Sequence, residues 1–132
     1  MDHRVEHLLA QRPAVLATVS PEGKPQAATI LFAADEDLNL YFETSQCYRK
    51  ATNLSINPLA ALVVSNENQS LQVEGTVSFL EGKEAAKARQ LLLKKNPGLK
   101  KWLDKKEELL LKLTPNWLRL RDSEKDEFVQ II

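Results

Sequence analysis

Stretches that alternate apolar and polar residues, or that are apolar throughout, fill most of the chain and predict strands. They occur at residues 14–19, 25–34, 38–43, 59–65, 70–80, 108–114, 116–121 and 128–132. The alternation is clearest at residues 70–80, where Val73, Val77 and Phe79 are predicted to face inwards. Residues 25–34 are apolar on both faces, which predicts burial of both. The first three strands are predicted to form an antiparallel meander.

Helical patterns occur before, between and after these strands. Apolar residues at helical spacing predict a short helix over residues 3–11, and strong helix formers predict a longer one over residues 83–95. A second short helix is predicted near Trp102. Between the third and fourth strands, Thr44 and Ser45 offer hydroxyls typical of a helix N-cap, which predicts a helix of about three turns.

Gly75 interrupts the best strand and predicts a β-bulge or a barrel corner, because a strand interior gains nothing from losing a side chain. The order of elements places helices among antiparallel strands with short connections. We therefore expect one domain over residues 1–132, of mainly β (α+β) class, folded as an antiparallel barrel with flanking helices.

Balanced charge narrows the range of partners. Eighteen Lys and Arg against eighteen Asp and Glu give a net charge of zero, so we expect no nucleic-acid partner and only a local anion site. No apolar run approaches the roughly 20 residues of a membrane span, and no secretory signal is recognisable, which favours a cytoplasmic protein without membrane contact. Cys47 is expected to be a buried thiol. His3 and His7 lack accompanying ligands, so no metal site is expected.

The segment at residues 40–54 carries the most chemistry. Here a strand ends in the hydroxyls of Thr44 and Ser45, and Arg49 and Lys50 follow at the predicted start of a helix. Unpaired N–H groups, hydroxyls and two cations are what a phosphate monoester requires. A capped helix with a solvated Arg-Lys pair is the alternative interpretation of the same residues.

The order of these motifs resembles the pyridoxamine 5′-phosphate oxidase-like superfamily of flavin-binding split barrels. The resemblance spans about residues 12–80, with a weaker similarity at residues 114–122. The matching segments are Leu16-Ala17-Thr18-Val19, Pro21-Glu22-Gly23-Lys24-Pro25, Leu40-Tyr41-Phe42-Glu43-Thr44, Arg49-Lys50-Ala51-Thr52-Asn53-Leu54, Asn57-Pro58 and Val73-Glu74-Gly75-Thr76-Val77. The resemblance implies a split β-barrel, flavin mononucleotide (FMN) as cofactor and a homodimer with the cofactor at the subunit interface.

The resemblance also assigns residues to the cofactor. It implies that Thr44, Arg49 and Lys50 hold the flavin phosphate, with Ser45 as a helper. The flavin ring is expected against the second strand, and Trp117, with Arg119, is expected to reach the site of the partner subunit. The residues assigned to the ring are Thr29, Ile30, Leu31 and Phe32.

Two departures separate this chain from the oxidase pattern. Tyr48 stands where the oxidase has a serine before its Arg-Lys pair, and Ala33 replaces a basic residue. Oxidation of pyridoxamine phosphate is therefore not inferred, and a flavin-dependent oxidoreductase acting on another small molecule is expected instead. The alternatives are a deazaflavin-dependent reductase or a non-catalytic module that stores or senses flavin or haem, with Met1, His3, His7, Cys47 or a tyrosine as axial ligand.

Overall fold

The alternating segments form a single antiparallel sheet in the computed structural model, which describes residues 1–132. The helices are α1 (His3–Leu9), α2 (Arg49–Ile56), α3 (Gly82–Lys95) and α4 (Lys100–Leu103), with a 3₁₀ turn at Pro97–Leu99. The strands are β1 (Pro13–Val19), β2 (Pro25–Leu31), β3 (Ala33–Ala34), β4 (Leu40–Ser45), β5 (Leu59–Ser65), β6 (Gln69–Phe79), β7 (Glu108–Asp122) and β8 (Glu127–Gln130). Strand β7 is continuous, whereas the sequence predicted two strands there.

The sheet closes on itself through Phe32. The strand order is β2-β1-β5-β6-β7-β4-β3, and Phe32 alone separates β2 from β3 along the chain. This one-residue step therefore links the two edges of the sheet. The predicted antiparallel split barrel with flanking helices is confirmed. The predicted meander is confirmed in part: β4 pairs with β3, which is the end of the predicted second strand, but not with β2, and its longer partner is β7.

Helix α1 covers one end of the core. Val5 and Leu8, one turn apart, are both fully buried against it. Arg4 fixes the helix to the β7–β8 hairpin through ion pairs with Asp122, at 2.8 Å, and with Glu127. Fully burying a leucine contributes about 2–3 kcal/mol, so the apolar face outweighs the ion pairs in holding this helix.

Gly75 permits the closest approach between two strands. The register of β6 and β7 shifts between Glu74 and Gly75, which pair with Trp117 and Pro115. A Cβ atom on Gly75 would lie 2.2 Å from the Thr114 carbonyl oxygen. The predicted bulge is confirmed, and its cause is this backbone contact.

Two predictions of burial are wrong. Ala27 and Thr29 on β2 are exposed, because they lie on the face of the strand that points away from the barrel core, which contains Ile30. Phe79 is 40% exposed because it ends β6, where the chain leaves for α3. None of the helices has the length and apolar composition that a membrane crossing requires.

Candidate functional site

Two adjoining cavities lie between strand β2 and the start of helix α2. The first, the basic cavity, measures about 310 Å³, and its lining includes Gln26, Ala27, Cys47, Tyr48, Arg49 and Lys50. The second, the apolar cavity, measures about 260 Å³, and its lining includes Ile30, Leu31, Thr44, Tyr48, Lys50 and Trp102. Because Tyr48 and Lys50 line both, the two cavities form one groove, the β2–α2 groove.

A larger cavity of about 750 Å³ lies between α1, α3 and the turn after β3. Two of its three lysines are engaged inside the chain, whereas Lys94 is exposed: Lys87 lies 3.6 Å from the Asp35 carboxylate, and Lys95 donates to the Leu9 carbonyl at 2.8 Å. Burial beside the Phe32 ring lowers the pKa of Lys95 to about 8. Size alone therefore does not identify the site, and the unpaired cations of the smaller groove favour it.

The turn before α2 differs from the predicted N-cap. Helix α2 begins at Arg49, with Tyr48 as an N-cap that makes no side-chain bond. The Ser45 hydroxyl instead accepts from the Cys47 N–H at 3.2 Å, and the Tyr48 N–H donates to the Ser45 carbonyl at 3.1 Å. Ser45, which was expected to cap the helix, is thus used in this turn. The helix consequently has about two turns rather than three.

Thr44 is one of three residues with a buried side-chain polar atom that has no hydrogen-bond partner in the chain, the others being Asn96 and Glu108. It is 1% exposed, lines the apolar cavity, and its Oγ1 atom has no hydrogen-bond partner. A buried hydroxyl without a partner costs about 1–3 kcal/mol. A ligand in the groove that bonds this hydroxyl would recover that cost.

Arg49 and Lys50 face the groove without partners in the chain. Neither forms an ion pair, although Lys50 lies 4.9 Å from the centre of the Tyr48 ring. Arg49 is exposed, whereas Lys50 is partly buried. Burial lowers the pKa of Lys50, and the neighbouring Glu43 and Glu108 oppose that shift. The two cations can therefore bind an external anion.

A pair of carboxyl groups that the sequence did not single out lies beside Lys50. Glu43 on β4 pairs with Leu110, so Glu108 on β7 is its diagonal neighbour on the same face. Burial, followed by hydrogen bonding with Glu108 and repulsion from it, raises the pKa of Glu43 to about 8. The raised pKa favours the protonated form of Glu43 at neutral pH. Their adjacency depends on the β4–β7 register, which local sequence does not reveal.

The residues predicted to meet the flavin ring divide into two groups. Thr29, Ile30 and Leu31 line the apolar cavity opposite Trp102. Phe32 lies outside the groove, since its side chain is fully buried in the barrel core. Trp102 is a lining residue that the sequence placed on a helix without assigning it to the site. Its position depends on α4 folding back over β2.

Two other predicted positions also lie away from expectation. Cys47 is exposed and lines the basic cavity, so the prediction of a buried thiol is wrong; the turn before α2 carries it outwards. Trp117 lies on the outer face of the sheet, with Arg119 5.1 Å from its ring centre. Trp117 and Arg119 border a separate cavity of about 380 Å³ with Val15 and Val63. Trp117 therefore does not reach the groove of its own chain.

Comparisons with known proteins agree with this geometry. A family model described as pyridoxamine 5′-phosphate oxidase matches residues 1–122. The pyridoxine/pyridoxamine 5′-phosphate oxidase of Salinibacter ruber is 38% identical over 72 residues, which are 53% of this chain and 34% of that protein. This chain spans about a third, or less, of the length of the curated relatives that it matches.

Solved structures extend the similarity to the whole sheet. A heme binding protein from Mycobacterium smegmatis has a TM-score of 0.82 at 20% identity, covering 92% of this chain and 53% of that one. A protein described as F420 reductase has a TM-score of 0.71 at 28% identity, covering 86% of this chain and 94% of that one. The first similarity shows the split-barrel fold.

Proposed function

We propose that this chain, which belongs to the pyridoxamine 5′-phosphate oxidase family, binds FMN in the β2–α2 groove and acts as an oxidoreductase on a small molecule. The observation that supports it most is the pairing of two unpartnered cations with an adjoining apolar cavity in one groove. A phosphorylated flavin has the same division between an anionic end and a flat apolar ring.

The residues present fit such a ligand. Arg49 and Lys50 would bind the phosphate, and the unpartnered Thr44 hydroxyl would donate a hydrogen bond to the bound molecule. Thr29, Leu31 and Trp102 would cover the ring and exclude water from it. The bound flavin supplies the electron transfer, so no side-chain acid or base is required.

The substrate is not assigned by the relatives. The chain covers about a third of the length of the Salinibacter oxidase, and Tyr48 and Ala33 replace residues of the oxidase pattern. We therefore propose an electron-transfer reaction on another small molecule, within a single domain over residues 1–132. The cytoplasmic location remains a prediction.

A homodimer is part of this proposal. The outer face of the sheet exposes Val15 at 38% and Phe128 at 55%, and Trp117 lies among these strands. A second copy of the chain on this face would bury these side chains and bring Trp117 near the partner's groove. Sedimentation velocity of the wild type and of Val15→Glu tests the dimer; an unchanged monomer for both would contradict it.

A deazaflavin coenzyme is the second candidate. The F420 reductase is similar over 94% of its length, and the same cations serve a deazaflavin phosphate equally well. For haem, which the Mycobacterium smegmatis protein binds, the groove offers only Cys47 and Tyr48 among the predicted axial ligands. FMN is preferred to haem because the cations and the apolar lining of the groove are explained without either residue acting as an iron ligand.

Spectroscopy of the purified protein tests the proposal. Titration with FMN should give saturable quenching of flavin fluorescence, and a nicotinamide or another electron donor should bleach the bound flavin. The double variant Arg49→Met/Lys50→Met should bind FMN at least tenfold more weakly. Lys83→Met/Lys125→Met removes two exposed cations away from the groove and should bind normally. Absence of FMN binding, or equal binding by the two double variants, would refute the proposal.

A further inference from the structure

Two lining residues of the basic cavity, Thr18 and Gln26, are bonded to a buried amide behind them. Asn53 on α2 is 3% exposed, one helical turn beyond Arg49 and Lys50. Its Nδ2 atom donates to the Thr18 hydroxyl at 3.0 Å and to the Gln26 side-chain oxygen at 2.9 Å. This amide group joins α2 to the paired residues of β1 and β2.

The bond from Asn53 fixes the orientation of the Gln26 amide. A planar amide whose oxygen is held on one side must present its NH₂ group on the other. Gln26 lines the basic cavity with Arg49 and Lys50, and its Nε2 atom donates to no acceptor in the chain. Two N–H donors are therefore held beside the two cations.

This arrangement is specific for an anion. If the Gln26 oxygen faced the cavity, an electronegative acceptor would repel a phosphate oxygen at the position where the cations attract it. Thr18, which is 3% exposed, holds the other Asn53 hydrogen and stops the Asn53 amide from rotating. The donor orientation is thus maintained by Asn53, which does not line the cavity, together with Thr18, which does.

We propose that Gln26 is a third phosphate-binding residue of the β2–α2 groove, beside Arg49 and Lys50, and that Asn53 is the positioning residue that makes it select a phosphate ester over the unphosphorylated molecule. This inference rests on the proposed function, in that FMN is the phosphate ester used to test it. It adds to that function two residues that neither the Arg-Lys pair nor the family comparison assigns.

Gln26→Glu is the sharpest test. The replacement has the same shape, and one carboxylate oxygen still accepts from Asn53, but the cavity then receives an anionic acceptor instead of a donor. We expect FMN to bind about 10- to 100-fold more weakly, while riboflavin affinity changes less than about twofold. Gln90→Glu makes the same charge change on the exposed surface of α3 and should alter neither affinity. Unchanged FMN binding by Gln26→Glu, or equal losses for both ligands, would overturn the role of Gln26.

Asn53→Asp tests the positioning role. An aspartate accepts from the Gln26 NH₂ group and turns the Gln26 oxygen towards the cavity. The ratio of FMN to riboflavin affinity should fall, in the same direction as in Gln26→Glu. Equal weakening of both ligands would mean that Asn53 only supports the fold.

A separate measurement distinguishes this inference from the flavin assignment. Inorganic phosphate is titrated into the wild type while ¹H–¹⁵N spectra follow the Gln26 side-chain amide, which is identified by its loss in Gln26→Glu. If FMN fails to bind, the flavin proposal fails, but a shift of the Gln26 resonances together with the Arg49 and Lys50 amides still supports the donor site. Gln26 resonances that do not move would overturn it.

Discussion

Replacement of Gly75 by alanine tests the contact on which the barrel's two longest strands depend. The added Cβ would lie 2.2 Å from the Thr114 oxygen and 3.0 Å from the Pro115 Cα. The first distance is about 1 Å inside the 3.4 Å at which ordinary contact begins. Because both obstacles are backbone atoms of a paired strand, no side-chain rotation relieves the clash.

The expected cost follows from what must move. Strands β6 and β7 carry buried core residues on both sides of the bulge, among them Val73, Val77, Leu113 and Leu118. Overpacking of this kind costs about 1–3 kcal/mol, and the rigid backbone favours the upper end. At about 4 °C per kcal/mol for a domain of this size, Gly75→Ala should lower Tm by about 10 °C.

Two other glycines supply matched controls. Gly98 has open space around it and no positive φ, so Gly98→Ala should leave Tm unchanged or slightly raised. Gly23 has open space but a φ of +83°, which costs an alanine about 1 kcal/mol. Calorimetry should therefore give the order Gly98→Ala, Gly23→Ala, Gly75→Ala from most to least stable. A Gly75→Ala protein as stable as Gly98→Ala would refute the account of the bulge.

Three further predictions concern the groove. Lys50→Met should weaken FMN binding about 10- to 100-fold, and Arg49→Met should weaken it less than about fivefold. The reason is that Lys50 is partly buried whereas Arg49 is solvent-exposed. Equal losses of affinity in FMN titrations of the two variants would contradict this. The pKa of Glu43 is raised from an ordinary 4.5 to about 8, so between these pH values the folded state keeps a proton that the unfolded chain releases. The free energy of unfolding that this group contributes therefore falls as pH rises through that interval. The denaturant midpoint of Glu43→Gln should therefore rise relative to that of the wild type between pH 5 and pH 9. A difference between the two midpoints that stays constant over this range would contradict the raised pKa of Glu43. Cys47 should react with a thiol reagent in the native state and more slowly with FMN bound, whereas reaction only after unfolding would mean a buried thiol.

The strands were predictable because their pattern is local. Alternation with period two, or a continuous apolar run, identified the long strands, although β7 was predicted as two strands, and Gly75 marked the bulge without any knowledge of its neighbour. The pairing of strands was harder to predict, because alternation indicates which residues share a face of the sheet but not which strand lies beside them. The exposure of Ala27 and Thr29 was missed for this reason, because the sequence does not show which elements lie beside β2.

The parts of the site that are formed by residues close together in the sequence were predictable, whereas the contacts between distant segments were not. Arg49 and Lys50 lie in the groove because they begin the helix that follows β4 within a few residues. The hydroxyls of Thr44 and Ser45 were assigned to a cap, but a tight turn intervenes and leaves Thr44 unpartnered. Trp102 and the contact between Glu43 and Glu108 join distant segments, and no local pattern signals such contacts.

Calorimetric titration of the wild-type protein with FMN and, in parallel, with riboflavin measures how much the phosphate contributes to binding. The two ligands share the ring and differ only in the phosphate that Arg49 and Lys50 are proposed to bind. FMN should bind at least tenfold more tightly, with one site per chain. Equal affinities, or no binding of either ligand, would contradict a phosphorylated flavin in the β2–α2 groove.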